Sequence, residues 1–308
     1  MKVLVTGVNG QLGHDVMNEL ARRKIKAMGC GTSPVYKGIC NGSPVETMPY
    51  QQLDIVNRKR VFDAIEFYQP DAVIHCAAWT AVDAAEEPEN LLRVHAVNVE
   101  GTKYLAEACK SIDAKMLYIS TDYVFSGEGT IPWEPDCKNF APLNVYGQSK
   151  LDGELAVSSV LDKFFVVRIA WVFGLNGNNF AKTMLKIGKT HDTLRVVNDQ
   201  IGTPTYAVDL ARLLVDMVQT EKYGYYHATN EGGYISWYDF AQEIFRQSGY
   251  VTWVIPVTTK EYGLSKAKRP FNSRLDKSKL STQGFAQMPD WKDALQRYLQ
   301  ELQEYNLI

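Results

Sequence analysis

The sequence predicts an α/β protein built on a doubly wound parallel sheet. Three observations carry that prediction. The chain opens with a strand, a glycine-rich turn and a helix. Buried-strand patterns then alternate with helical ones down the chain, as they do in units joined by crossover helices. The residues at the ends of several strands are small or hydroxylated, which suits a ligand lying across the carboxyl edge of an open sheet.

The first strand is Lys2-Val-Leu-Val-Thr6, followed by Gly7-Val-Asn-Gly10-Gln-Leu-Gly13 and an amphipathic pattern through Val16, Leu20 and Ala21. This is the setting of a dinucleotide-binding fingerprint, spaced Gly-x-x-Gly-x-x-Gly. Gly7 would allow the tight turn, Gly10 close approach of backbone to a pyrophosphate, and Gly13 packing of helix on strand. Asn9, Gln11 and Leu12 lie in the same turn and are expected to touch the cofactor, with helix N–H groups facing its phosphates.

A second strand is expected from Lys26 to Gly29. It runs into Cys30-Gly-Thr-Ser33, without the carboxylate that would select a ribose 2′-hydroxyl. Thr32, Ser33 or Lys37 could accommodate a 2′-phosphate instead, which favours NADPH with NADH tolerated. Residues 31–50 form a long loop leading to a short strand that ends at Leu53-Asp54-Ile55. Asp54 can bind an adenine amino group, with Ile55 beside it, or can cap the helix beginning near Asn57. Asp71 to Ala78 reads as a buried strand, and its end, Cys76, Ala77 and Ala78, would let a flat cofactor lie on the backbone. Thr80 follows in a loop and is assigned to the cofactor as well. Pro88 opens a long helix through Cys109. On its apolar face Asn98 is either a structural amide or a cofactor contact.

Lys115 to Thr121 is the next strand. Its terminal hydroxyls, Ser120 and Thr121, could hold a carbonyl oxygen. Tyr146-Gly-Gln-Ser-Lys150 then opens a helix, with Tyr146 and Lys150 one turn apart on one face. A free tyrosine titrates near 10 and is a poor acid at neutral pH. An ammonium beside it should lower that value and make Tyr146 a general acid. Taken alone the pair fits many solvated helices; its place after the fingerprint and after Thr121 gives it meaning.

Phe164 to Ala170 is a buried strand in which Arg168 requires a partner. A helix from Asn178-Asn-Phe180 to Ile187, a strand at Leu194–Val197, a turn at Asp199–Thr205 and a helix at Val208–Val218 follow. A short strand at Tyr225 and helices from Trp237 and Asp290 complete the chain. Lys266, Lys268, Arg269 and Arg274 fall within nine positions and form a candidate clamp for a diphosphate, since Arg supplies forked cationic donors.

Composition narrows the function. The 308 residues are 45% hydrophobic, enough for one large α/β domain or two lobes. A formal net charge of -2 offers no footprint for nucleic acid or anionic membrane. No apolar run approaches the roughly 20 residues that span a bilayer, and no signal-peptide core precedes the first glycine. The five scattered cysteines suit reduced thiols in a cytoplasmic protein, and no His or Cys spacing matches a metal site.

These motifs together resemble the extended short-chain dehydrogenase/reductases and, among them, the dTDP-4-dehydrorhamnose reductase family. The resemblance rests on Thr6-Gly-Val-Asn-Gly-Gln-Leu-Gly13, Cys76-Ala-Ala-Trp-Thr-Ala-Val-Asp-Ala-Ala-Glu86, Ser120-Thr-Asp-Tyr-Val-Phe125 and Tyr146-Gly-Gln-Ser-Lys150. It continues in Arg168 to Gly174, Val197 to Thr205 and Lys268 to Ser273, and so spans nearly the whole chain. It implies a Rossmann-type domain, residues 1–170 with later segments returning to it, and a smaller C-terminal α/β substrate lobe, mainly 171–308. It further implies NAD(P)H-dependent reduction of a nucleotide-sugar C4 ketone. Tyr146 then matches the proton donor, Lys150 the lysine on the nicotinamide ribose, and Thr121 the hydroxyl beside the carbonyl. Asp122, Tyr123 and Trp171 fall where relatives bind the sugar. Some relatives hold Mg²⁺ at a dimer contact; a homodimer is compatible with this sequence, which shows no ligand set for the ion. The alternatives are another sugar-nucleotide reductase, epimerase or dehydratase, or a non-catalytic NADP-binding regulatory subunit.

Overall fold

A computed structural model describes residues 1–40 and 42–308; within the expected loop 31–50, Asn41 lies outside the described residues. The core is a seven-stranded sheet whose six neighbouring pairs are all parallel. Its strands are β1 (Lys2–Thr6), β2 (Lys26–Gly31), β3 (Tyr50–Gln52), β4 (Ala72–His75), β5 (Lys115–Thr121), β6 (Phe164–Ile169) and, late in the chain, Gly224–His227. The spatial order is Gly224–His227, β6, β5, β4, β1, β2, β3, so the winding direction reverses between β1 and β4. Open α/β sheets bind ligands outside the strand ends at such a point.

Val3, Leu4 and Val5 are fully buried because both faces of the sheet are covered. Helix α1 (Gln11–Arg22) covers one face with Ala207–Val218, burying Val16, Met17 and Leu20 against Leu210, Leu213 and Leu214. The other face packs on α2 (Arg58–Tyr68), on Gly101–Ser111 and on Val145–Val160. Thus both the seventh strand and a covering helix come from beyond residue 170. A second core joins Phe173 and Tyr206 to Phe240, Trp291, Leu295 and Tyr298 of the two late helices, Trp237–Ser248 and Trp291–Glu304.

The helix expected from Pro88 to Cys109 is not uniform. After a short turn at Pro88–Asn90 it is α-helical over Leu91–His95, widens to a π turn over Ala96–Glu100 and resumes as α-helix over Gly101–Ser111. Such turns often sit beside functional sites.

Arg168 has the partner its burial demands. Glu154, on the helix Val145–Val160, receives its Nε at 2.8 Å and its Nη2 at 2.7 Å, and both residues are about 1% exposed. Nη1 donates to the Pro135 carbonyl at 3.0 Å, and the rings of Phe125, Phe140 and Tyr225 surround the guanidinium.

The first turn is set by close approaches. Gly7 has φ +72°, and a Cβ there would stand 2.6 Å from the Ala77 nitrogen. At Gly13 a Cβ would lie 2.4 Å from the Gly7 carbonyl oxygen. Gly13→Ala must therefore push α1 off β1. It should destabilise the protein by well over the roughly 1 kcal/mol of an average substitution, read as a lower denaturation midpoint; an unchanged midpoint would refute this account of the turn.

Candidate active site

A cavity of about 610 Å³ opens along the carboxyl edge of the sheet, over the reversal point. One wall is the first turn: Gly7, Asn9, Gly10, Gln11, Leu12 and Gly13 all line it. Gly10 caps α1 without a side-chain hydrogen bond, and no acidic residue occupies the first helical turn. The helix end therefore presents backbone N–H groups and positive dipole to an anion. The floor is Cys76, Ala77 and Ala78 with Thr80 beyond; Asp54 and Ile55 close the far end. This donor set and narrow floor suit a dinucleotide.

The 2′-phosphate end follows from β2. Its last residue is Gly31, Thr32 lines the cavity, and no carboxylate stands there. The loop beyond folds back: the Lys37 N–H donates to Asn9 Oδ1 at 2.9 Å, and the Tyr50 hydroxyl donates to the Ser33 carbonyl at 2.7 Å. Asp54 is not the cap of α2; Asn57 is, accepting from the Arg60 N–H, while Asp54 accepts from the Val56 N–H.

The other end of the cavity holds the reactive groups. Thr121 is the last residue of β5, Asp122 and Tyr123 follow in a tight turn, and Tyr146 and Lys150 project from the helix Val145–Val160. Asn144 caps that helix by accepting from the Gly147 N–H at 2.7 Å, and its amide donates to the Lys268 carbonyl. Thr121 Oγ1 donates to Asp122 Oδ1 at 2.9 Å, and the Tyr123 ring meets Tyr146 edge-on at 5.7 Å.

The electrostatics differ from the sequence expectation. Burial, reinforced by the Asp122 charge, pushes the Tyr146 phenol above its ordinary value instead of below it. Tyr146 is thus held protonated, as a donor. Lys150 points over the Tyr118 ring, 4.0 Å from its centre, and burial draws its ammonium down to about 7. Desolvation outweighs pairing at both groups. Asp122 is buried too and is raised to about 6, although the Ser273 and Thr121 side chains oppose the shift.

Three expected site residues lie elsewhere. Asn98 sits in the π turn but does not line the cavity; its amide accepts from the Trp79 N–H and donates to the Trp79 carbonyl and Ser149 Oγ. Every polar atom of that side chain is used to tie the loop after β4 to the helix of Tyr146. Arg269 and Arg274 also stay outside the lining. Arg269 donates to Asp83 Oδ2 at 2.5 Å and to the Tyr123 hydroxyl at 3.3 Å, and Arg274 donates to Asn272 Oδ1. Lys266 pairs with Glu87. Acidic side chains thus engage two of the cations that the sequence offered to a diphosphate.

Among the cavity residues that the sequence left unassigned are Trp237 and Asn178. Trp171, at φ +51°, stacks on Trp237 with ring centres 3.7 Å apart and planes 16° from parallel, and both line the cavity. Asn178 lines it as well. Trp237 followed a capping serine, a signal for a helix start that carries nothing about the other end of the fold. Among the described residues no group of three or more His, Cys, Asp or Glu could hold a metal ion, and no helix is long and apolar enough to cross a membrane.

Asp122 provides a test by stability. Its folded value lies above the unfolded one, so the native state holds the proton more tightly between about pH 4 and 6, and stability falls as pH rises through that window. Asp122→Asn lacks this penalty. Its stability relative to the parent should climb from pH 4 to pH 6 by about 2–3 kcal/mol, measured by denaturant unfolding. A difference that does not vary with pH would show that Asp122 is not held neutral.

Comparison with known proteins places this geometry. The RmlD substrate binding domain family matches residues 1–304. A dTDP-4-dehydrorhamnose reductase of Aggregatibacter actinomycetemcomitans is 38% identical over 307 residues, covering 96% of this chain and 97% of that protein. The crystal structure of a dTDP-4-dehydrorhamnose reductase from Clostridium acetobutylicum is 40% identical, with TM-score 0.87 over 98% of this chain and all of that one. A Bacillus anthracis dTDP-4-dehydrorhamnose reductase, solved in complex with NADP, is 37% identical with TM-score 0.87 over 97% of this chain and 99% of that one. With sequence, length and fold matched from end to end, the chain belongs to the RmlD family, that of the dTDP-4-dehydrorhamnose reductases.

Proposed function

We propose that the protein reduces the C4 ketone of dTDP-4-dehydro-6-deoxy-L-mannose to dTDP-L-rhamnose, using NADPH and accepting NADH, in the cytoplasm. The observation that carries this reading is the meeting of Thr121, Tyr146 and Lys150 at the end of a dinucleotide-shaped cavity. The bound dinucleotide would lie from Asp54 over Ala77 to Lys150 and supply the hydride. The absence of a carboxylate after β2, with Thr32 in the wall and the Lys37 backbone fastened to Asn9, supports room for the 2′-phosphate.

The protein's own part is positioning and proton transfer. Tyr146 would direct its hydroxyl to the ketone oxygen, and Thr121 would do so on releasing the bond it donates to Asp122. As C4 gains the hydride, the carbonyl electron pair moves onto that oxygen, and the Tyr146 phenol gives up its proton to it. A phenol held protonated is the right starting state for this step. The charge left on Tyr146 is offset by the Lys150 ammonium. Asp122 and the Trp171–Trp237 wall would hold the sugar.

Oxidation of NADPH and NADH on adding the keto-sugar nucleotide, with dTDP-L-rhamnose identified as product, tests the assignment; absence of oxidation with either cofactor would overturn it. Tyr146→Phe should lower kcat by roughly 10²–10⁴-fold with NADPH binding retained, and full turnover would remove Tyr146 from the mechanism. The Lys150 ammonium is lost as pH rises through about 7, so log kcat/KM should fall above that pH. A profile flat to pH 9 would show that Lys150 is not required in its charged form.

A further inference from the structure

A buried polar cluster lies behind the reactive groups, reaching the cavity wall only at Ser120. Ser120 on β5 donates to Glu154 Oε1 at 2.5 Å, and the same carboxylate receives the fork of Arg168 from β6. Ser120, Glu154 and Arg168 are each at most 2% exposed. Resting on the reductase reading, we propose that Glu154 is a positioning residue for the reduction. It locks the helix of Tyr146 and Lys150 to the strand that carries Thr121, and its charge opposes the loss of the Lys150 proton.

The geometry supports both parts. Tyr146, Lys150 and Glu154 are spaced four apart on one helix and so share a face. Ser120 immediately precedes Thr121, so the Ser120–Glu154 bond joins β5 to that helix beside the catalytic hydroxyls. A second tie lies between the same elements: the Tyr118 hydroxyl donates to the Lys150 carbonyl at 3.3 Å, and its ring lies beneath the ammonium.

The charges around Lys150 leave Glu154 as its anionic support. From β4, His75 is lowered to about 3 by burial and is neutral, and Cys76 is raised to about 12 and stays a thiol. From β5, Tyr118 is pushed well above its ordinary value by burial and is uncharged; on its own helix, Tyr146 is protonated. Burial lowers Lys150 and Glu154 opposes it. Around Glu154 stand Ser120, Tyr118 and Arg168, with His227 beyond at 3.4 Å from Arg168 and kept neutral by burial. The Arg168 fork thus shares a carboxylate whose other electrostatic partner is the catalytic lysine.

The test is the pH dependence of kcat/KM in the full-length enzyme with NADPH, for the parent, Glu154→Gln and Glu154→Asp, with thermal melts of each. Glu154→Gln should move the high-pH fall of kcat/KM downward by about 1 pH unit, a tenfold loss of proton affinity at Lys150. Glu154→Asp, which keeps the charge but disturbs the fit, should lose melting temperature without moving that fall. An unmoved fall in Glu154→Gln, or equal shifts in both variants, would reduce Glu154 to a purely structural residue. Should Glu154→Gln fail to fold, Ser120→Ala keeps both buried charges and removes only the tie from β5 to the helix. It should lower kcat several-fold without moving the high-pH fall, and an unchanged kcat overturns the proposal. Lack of turnover in the parent enzyme would instead refute the reductase reading, so the two failures are distinct.

Discussion

The contact between the backbones of Gly7 and Ala77 governs the site. A single Cβ on Gly7 would stand 2.6 Å from the Ala77 nitrogen, so the ends of β1 and β4 can meet only if neither carries bulk there. That closeness brings the start of α1, with its uncapped N–H groups, to the place where the sheet's winding reverses. The crevice which follows is a consequence of chain topology, and the reactive residues are brought to it by strand ends. β5 delivers Thr121, β6 leads into Trp171, and the helix after β5 delivers Tyr146 and Lys150.

Burial then decides the chemistry of each group more than its neighbours do. A phenol, a carboxyl and an ammonium gathered in one low-dielectric pocket each move toward the neutral form. For a reductase this is useful, because the proton donor starts protonated and the lysine titrates within the physiological range. The cost of these shifts is borne by a frame of satisfied polar contacts. Asn98 uses a widened helical turn to hold the loop after β4, and Arg168 pairs with Glu154 between β6 and the catalytic helix.

Much of this was legible in the chain. The first turn, the strand from Asp71 to Ala78, the Ser120-Thr121 strand end and the Tyr146–Lys150 spacing are local patterns, and each maps onto the cavity. The cationic run from Lys266 to Arg274 was legible as charge but not as a partner choice. Asp83 and Glu87, some 180 positions earlier, engage it, and no local spacing reveals which anion a flexible cation will meet. The net shift of Tyr146 runs upward where a downward one was expected, for a related reason. One helical turn puts the two on a common face, but the depth of the pocket moves both toward the neutral form.

By itself, the sequence determined what is periodic or near in number: the alternation of strands and helices, the glycine spacing, the hydroxyl and phenol that face one cavity, and the need of Arg168 for a partner. Only the tertiary structure decided that the partner is Glu154, that Trp237 comes to stack on Trp171, that Asn98 acts as a brace, and that Asp122 is buried deeply enough to be raised. The physical reason is distance in the chain. Periodicity and spacing report forces that act within a few residues, whereas desolvation and long-range pairing depend on which surfaces the folded sheet brings together.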